Sequence, residues 1–434
     1  MWVTGWLAGW FQQRVLAVGL SPALTHVCHF MVVPNADGTL QITNRPGFES
    51  AAAIASVVDA THAINAKAIV TIGGAGSYTE FSAALQAPVA RAALATNLVA
   101  FAQANNYDGI DVDMEPINEI DFAGFAAFVL ALRAAWPTAV ITVAGASPDA
   151  CLLIHDVVDQ INVMTYDMSG AWDGWVSWHN SPITASGEHF PPPVDWRELP
   201  SCDLYLREYA VLGIPRSKLA LGLDLYGYRW PGVAAPRLDV SAIRPQDVSA
   251  NIPYYNLARD YDLAAAQWDE RAGAAWLGTA ANEFISFDNE RTAAAKVQYV
   301  RDHALGGIAV WEIAGGVTYA GTQPVTDALV QAVAVPRARY FTVGGAPFWL
   351  VYDEGTGAFT GVSFHNTSGR PVWVRLTHRA SGSQWERTFA AGERVAFASA
   401  GITGRMGTLT RRTDSEDATR APVRVDDISV EMRS

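Results

Sequence analysis

The sequence predicts an α/β fold, a closed (β/α)8 TIM barrel with a small insertion after strand 7, plus a C-terminal all-β module. Three observations carry this expectation. Before residue 314, eight short β-rich runs alternate with helix-like stretches, an order that builds a parallel sheet closed on itself. Between Tyr226 and Phe284 lies a segment too long for an ordinary loop. From about Tyr340 the helical pattern stops, and short strands separated by Gly, Asn and Ser turns take over.

The eight runs are WVTGW (2–6), LTHVCHFMVV (24–33), KAIVTIGG (67–74), GIDVDME (109–115), AVITVAGA (139–146), QINVMTY (160–166), KLALGLDLYGY (218–228) and GGIAVWEI (306–313). Amphipathic helices are expected over 80–105, 121–135 and 290–304. DFAGFAAFVLALRAAWP (121–137) places apolar residues at helical spacing and ends at a proline. A doubly wound sheet is the runner-up, but no Gly-rich phosphate fingerprint follows the first strand. The long segment contains NIPYYNLARDYDLAAAQWDERA (251–272), which predicts a small inserted subdomain. FWLVYD, GVSFHN, PVWVRLTHR, QWERTF and VRVDDISVEM read as strands of a β-sandwich over 340–434, after a barrel domain over 1–335.

Half the residues are hydrophobic, with 15 Trp, so a sizeable core is expected and aromatics should be left for exposed surfaces. A net charge of −13 argues against a nucleic-acid partner, which needs a basic footprint. No apolar run reaches membrane-spanning length. MWVTGWLAGW lacks a basic n-region, an h-region and a cleavage site, so either a signal was removed or export uses none. Lys occurs only at 67, 218 and 296 among many Arg and Ala, a compositional hint of a high-GC bacterial or phage gene. Cys28, Cys151 and Cys202 are scattered and the nine His form no cluster. The expectation is three buried thiols, no metal and no cofactor.

One stretch stands apart: YDGIDVDMEP (107–116) holds four acids in a chain only 17% charged. Asp111, Asp113 and Glu115 alternate with apolar residues, so on a strand they share one face. Packing them together costs desolvation and repulsion that stability does not explain. A carboxyl crowded in this way keeps its proton to higher pH, as a general acid at neutral pH must. Barrel active sites lie at the carboxyl ends of the strands, where Glu115 arrives last. Asp108 has the other parity and is assigned to support the strand. The competing readings are helix capping and a Ca²⁺ site, but Ca²⁺ ligands usually come from an irregular loop.

DGIDVDME fits the D-x-x-D-x-D-x-E signature of glycoside hydrolase family 18, the chitinases and related endo-β-N-acetylglucosaminidases, at Asp108, Asp111, Asp113 and Glu115. TIGG (71–74) resembles that family's S-x-G-G strand, INVMTYD (161–167) its sixth strand and AWDGWVSWHNSP (171–182) the loop that follows. LGLDLYGY, FISFDNERTAAAKVQYV and LGGIAVWEI complete an ordered resemblance over roughly 2–332. Residues 229–283 are similar to a shortened form of the α+β insertion in one branch.

The resemblance implies substrate-assisted, retaining hydrolysis of β-1,4-linked N-acetylglucosamine. Glu115 would be the acid and base, and Asp113 and Tyr166 would grip the 2-acetamido group, with Asp111 behind Asp113. Trp311 would floor the distorted sugar, Met164, Asp167 and Tyr226 would line its subsite, and Trp172 and Trp6 are further candidates for substrate contact. Met114, Ala75 and Tyr228 depart from common family residues. The implied partner is an N-acetylglucosamine polymer or oligomer met outside the cell. A non-catalytic lectin on the same scaffold and an endo-β-N-acetylglucosaminidase stay open, as does attachment of the C-terminal module to a virion or injection particle.

Overall fold

The computed structural model describes residues 1–334 apart from 43–44, 146, 171–173 and 193–194. Beyond residue 337 it describes 338–343, 346–352, 359–365, 370–378, 384–391, 393–398, 410–411, 421–422 and 428–433. The chain divides into two units, residues 1–289 with 299–327 and residues 290–298 with 328–434.

In the first unit eight parallel strands close into a barrel: β1 (Trp2–Ala8), β2 (His26–Pro34), β3 (Lys67–Gly73), β4 (Gly109–Asp113), β5 (Val140–Gly145), β6 (Gln160–Val163), β7 (Leu219–Asp224) and β8 (Gly307–Trp311). Each pairs with the next, and β8 pairs with β1 to complete the ring. The interior is filled by buried side chains, among them Trp6, Cys28, Ile69, Ala144, Ala220 and Ala309. Removing such apolar surface from water is the main stabilising term.

The expected helix over 80–105 is two helices, Tyr78–Gln86 and Pro88–Ala104. Pro88 lacks the N–H that would continue the first helix, and it starts the second at a position where that N–H has no partner anyway. The helix expected over 121–135 spans Phe122–Ala135 and buries Phe125, Phe128, Val129 and Leu132 on one face.

The seventh run is not one strand. β7 ends at Asp224, and Tyr226–Pro231 leaves the barrel to pair antiparallel with Glu283–Phe287. The apolar pattern runs on unbroken through Leu225, so only the change of partner marks the end. A five-stranded antiparallel sheet results, in the order Ser249–Pro253, Tyr226–Pro231, Glu283–Phe287, Ala274–Gly278, Gln267–Asp269, accompanied by a helix over Tyr254–Asp260. This insertion is therefore wider than 229–283.

In the second unit, Ala338–Val343, Ala346–Tyr352, Phe359–His365 and Arg394–Ala398 pair in an antiparallel sheet, and Gln384–Phe389, Val372–His378 and Ile428–Arg433 in another. Val372, Val374, Leu376 and Phe389 are buried.

Candidate active site

β4 carries Asp111 and Asp113 inward and ends at Asp113, so Glu115 lies just past the last ladder bond. β3 and β5 flank it in a register that sets Thr71 and Thr142 level with Asp111. Both hydroxyls donate to the Asp111 carboxyl, Thr71 at 3.0 Å and Thr142 at 2.6 Å, and Trp6 Nε1–H donates at 2.8 Å. Burial raises the Asp111 carboxyl, and these three donors pull the other way.

Asp113 is buried without such donors. Its Oδ1 has no hydrogen-bond partner among the described residues. Burial pushes its carboxyl well above the usual range, helped by the negative charges of Glu115 and Asp111. Glu115 is half-buried and also raised, chiefly by burial. A hydrogen bond with Asp113 opposes that rise and the charge of Asp167 adds to it. The two carboxyls titrate as a pair. The close approach behind them needs glycine. Gly73 has φ +116°, a Cβ there would sit 1.9 Å from Asp113 O, and Gly74 N–H donates to that same oxygen at 2.7 Å.

Beyond the end of β6 lie Met164, Tyr166 and Asp167. Burial first, then the neighbouring charge of Asp167, keeps the Tyr166 phenol far above its ordinary range, so it remains a neutral O–H donor. Asp167 adopts φ +60°, a left-handed conformation that Asp tolerates better than most residues. Its N–H donates to Asn180 Oδ1 at 2.9 Å. Its Oδ1 accepts from Tyr226 at 2.6 Å and Tyr228 at 2.9 Å.

These side chains open onto a cavity of about 520 Å³ lined by Asp113, Glu115, Met164, Tyr166, Asp167, Tyr226 and three indoles, Trp6, Trp10 and Trp311. Trp311 is half-buried and packs edge-on against Phe30, centroids 4.8 Å apart, and Trp6, 6.1 Å. Trp6 is both core, at 2% exposure, and cavity wall. Trp10 is 47% exposed and lines the cavity. Trp178 is fully buried, with Nε1–H donated to Pro200 O at 2.8 Å. Trp172 lies outside the described residues.

Asp108 is placed as its parity implied. At the start of β4 it accepts from Ala68 N–H at 2.9 Å and pairs with Lys67 and His62. Thr142, Tyr228 and Glu312 were not singled out as site residues. Thr142 shares Asp111's level in the barrel, and that signal needs the strand register. Glu312 follows Trp311 into the cavity and is pushed up to about 7 by burial. Among the described residues no group of three or more His, Cys, Asp or Glu is arranged to hold a metal ion, and no helix is long and apolar enough to cross a membrane.

The sequence profile described as Glycosyl hydrolases family 18 matches residues 3–316, the stretch holding every residue above. The chain belongs to this family. Among similar proteins, chitinase A1 of Niallia circulans is 25% identical over 291 residues, and a probable endochitinase of Caenorhabditis elegans is 26% identical over 275. The matches take in 58% and 57% of this chain but only 41% and 43% of those proteins. Solved structures with the same fold include the Group IV chitinase of Ostrinia furnacalis in complex with allosamidin, at TM-score 0.65, 24% identity, 76% of this chain and 98% of that one. Human YKL-39, described as a pseudo-chitinase with retained chitooligosaccharide binding, superposes at TM-score 0.62 and 16% identity over 76% of this chain and 99% of that one.

Proposed function

We propose that the chain is a retaining glycosidase that hydrolyses β-1,4 bonds between N-acetylglucosamine units, with the substrate's own 2-acetamido group as nucleophile. The observation that carries this reading is Asp113 Oδ1, a buried acceptor without a donor among the described residues, in the cavity shared with Glu115 and Tyr166. Leaving such an acceptor unmade costs about 1–3 kcal/mol, and an acetamido N–H would satisfy it. The Tyr166 hydroxyl would donate to the acetamido carbonyl and hold that oxygen under the anomeric carbon, an orientation effect. Glu115 protonates the departing glycosidic oxygen and then takes a proton from the incoming water. Asp111, locked by three donors, stabilises the arrangement behind Asp113. Trp311 offers a flat apolar surface to the C–H face of the sugar. The names of the relatives point the same way.

Incubation with N-acetylglucosamine oligomers, reading products and their anomeric form, tests the reading. Shorter oligomers released first as the β-anomer are expected. Binding without cleavage would replace it with a lectin, and cleavage confined to N-glycan cores with an endo-β-N-acetylglucosaminidase.

The shared titration of Asp113 and Glu115 predicts a pH effect. A raised Glu115 keeps the acid form to higher pH, and activity falls as pH rises through the pair's upper titration. Asp113→Asn removes the charge that opposes the last deprotonation, so the alkaline limb of kcat/KM should move to lower pH, with reduced maximal activity. A limb that stays in place would show that Asp113 does not tune Glu115.

A further inference from the structure

Asp167 is exposed to the cavity between two buried neighbours, Tyr166 and Met168. β6 has already ended at Val163, so no strand ladder holds this stretch. The left-handed backbone of Asp167, φ +60°, therefore needs another support. Its placement bears on the whole site. Its charge reaches Glu115 and Tyr166, and its Oδ1 holds the hydroxyls of Tyr226 and Tyr228.

Support comes from the loop that follows. Asn180, fully buried, accepts two successive N–H groups. Asp167 N–H donates to its side-chain Oδ1 at 2.9 Å, and Met168 N–H to its backbone oxygen at 3.0 Å. Its own N–H donates to Ser286 Oγ at 2.8 Å, which ties it to the insertion strand Glu283–Phe287. Its Nδ2 donates to Asp224 Oδ2. Asp224 is buried, ends β7 and lies level with Trp311 in the barrel ladder. That last bond decides which way the amide faces. Turned over, the amide would set its own N–H against Asp167 N–H, donor against donor. A carboxylate only accepts, so Asp224 admits the nitrogen and leaves the oxygen for Asp167. Neither Asn180 nor Asp224 lines the cavity, so any effect on the chemistry must pass through Asp167.

We infer that Asn180 is a positioning residue that fixes the Asp167 carboxyl in the site, and that Asp224 sets the sense of its amide. This rests on the reading of the cavity as the sugar site.

The test is a double-mutant cycle read on the N-acetylglucosamine tetramer. Asn180→Ala should lower kcat/KM roughly tenfold or more, as for a buried donor left without its acceptor. In a chain that already carries Asp167→Gly, which suits the left-handed backbone, the same change should cost less than about twofold, because the carboxyl to be positioned is gone. The exchange of Asn180→Asp with Asp224→Asn keeps an amide facing a carboxylate and an acceptor for Asp167 N–H. It should recover most of the kcat/KM that Asn180→Asp alone loses. Thermal scans accompany each variant, and the exchange decides the matter where Asn180→Ala does not fold. An equal fall in both backgrounds would overturn the inference and mark Asn180 as a general support of its loop. Asn180→Ala within about twofold of wild type, or an exchange no better than Asn180→Asp alone, would overturn it as well. Wild-type protein that binds the tetramer without cleaving it would remove the proposed hydrolysis and leave this inference standing, with the cycle read in dissociation constants. Protein that does neither would remove the sugar site and the inference with it.

Discussion

Replacing Glu115 by Gln is expected to lower turnover by about 10²–10⁴-fold while oligomer binding persists. The amide keeps the shape and hydrogen-bonding reach of the carboxyl but has no proton to give at the pH of the reaction. The surfaces that would bind sugar, Trp311 and Trp6 with Tyr166 and Met164, are unchanged, so loss should appear in kcat. Stability provides the control, and its sign can be worked out. The Glu115 carboxyl is raised in the fold, which means that ionising it is less favourable there than in the unfolded chain. It therefore withdraws stability as pH climbs above the unfolded value of about 4.3. A neutral Gln escapes that penalty, so Tm at pH 7 should be no lower than wild type. Single-turnover rates, dissociation constants for the oligomer and a thermal scan would check all three parts. Near wild-type turnover would remove Glu115 from the mechanism.

The barrel was legible because parallel strands and helices alternate in order, and the acidic triplet because period-2 charge in an apolar chain is costly. Element ends were not. Side-chain alternation runs through Met114 and Glu115, through Met164 to Tyr166 and through Leu225 to Tyr228, but the ladder stops at Asp113, Val163 and Asp224. A strand ends where its partner diverges, and the partner is elsewhere in the chain. The same reason hid Thr142, whose level with Asp111 depends on how two strands are staggered. Tyr228 read only as a departure from a family pattern. Its bond to Asp167 exists because the chain changes sheets two residues before Tyr226. Tryptophan count predicted aromatic surface but not which rings. Trp10 is exposed in the cavity and Trp178 is fully enclosed, a difference set by neighbours far away in sequence.

Substrates that lack a 2-acetamido group at the cleaved sugar should be inert, however well they bind. Cello-oligomers and fully deacetylated chitosan oligomers keep the ring faces that Trp311 can stack against. Both lack the acetamido carbonyl that Tyr166 would orient and that would attack the anomeric carbon, and the cello-oligomers also lack a 2-position N–H for Asp113 Oδ1. No carboxyl of the acidic triplet is left to replace that nucleophile. Asp111 is enclosed and committed to Trp6, Thr71 and Thr142, Asp113 is linked to Glu115, and Glu115 is needed for the proton. The acetylated series should therefore be cleaved with initial retention of the β-anomer, because the acetamido oxygen attacks the face opposite the leaving group and water later enters by the face that group vacated. A thiazoline mimic of the cyclised intermediate should inhibit competitively and more tightly than the substrate binds, since the site would complement that species best. NMR of the first product formed and inhibition kinetics on the tetramer read both outcomes. Inverted product, or efficient cleavage of the deacetylated chain, would require a protein nucleophile or an activated water and would refute the scheme even with Glu115 essential.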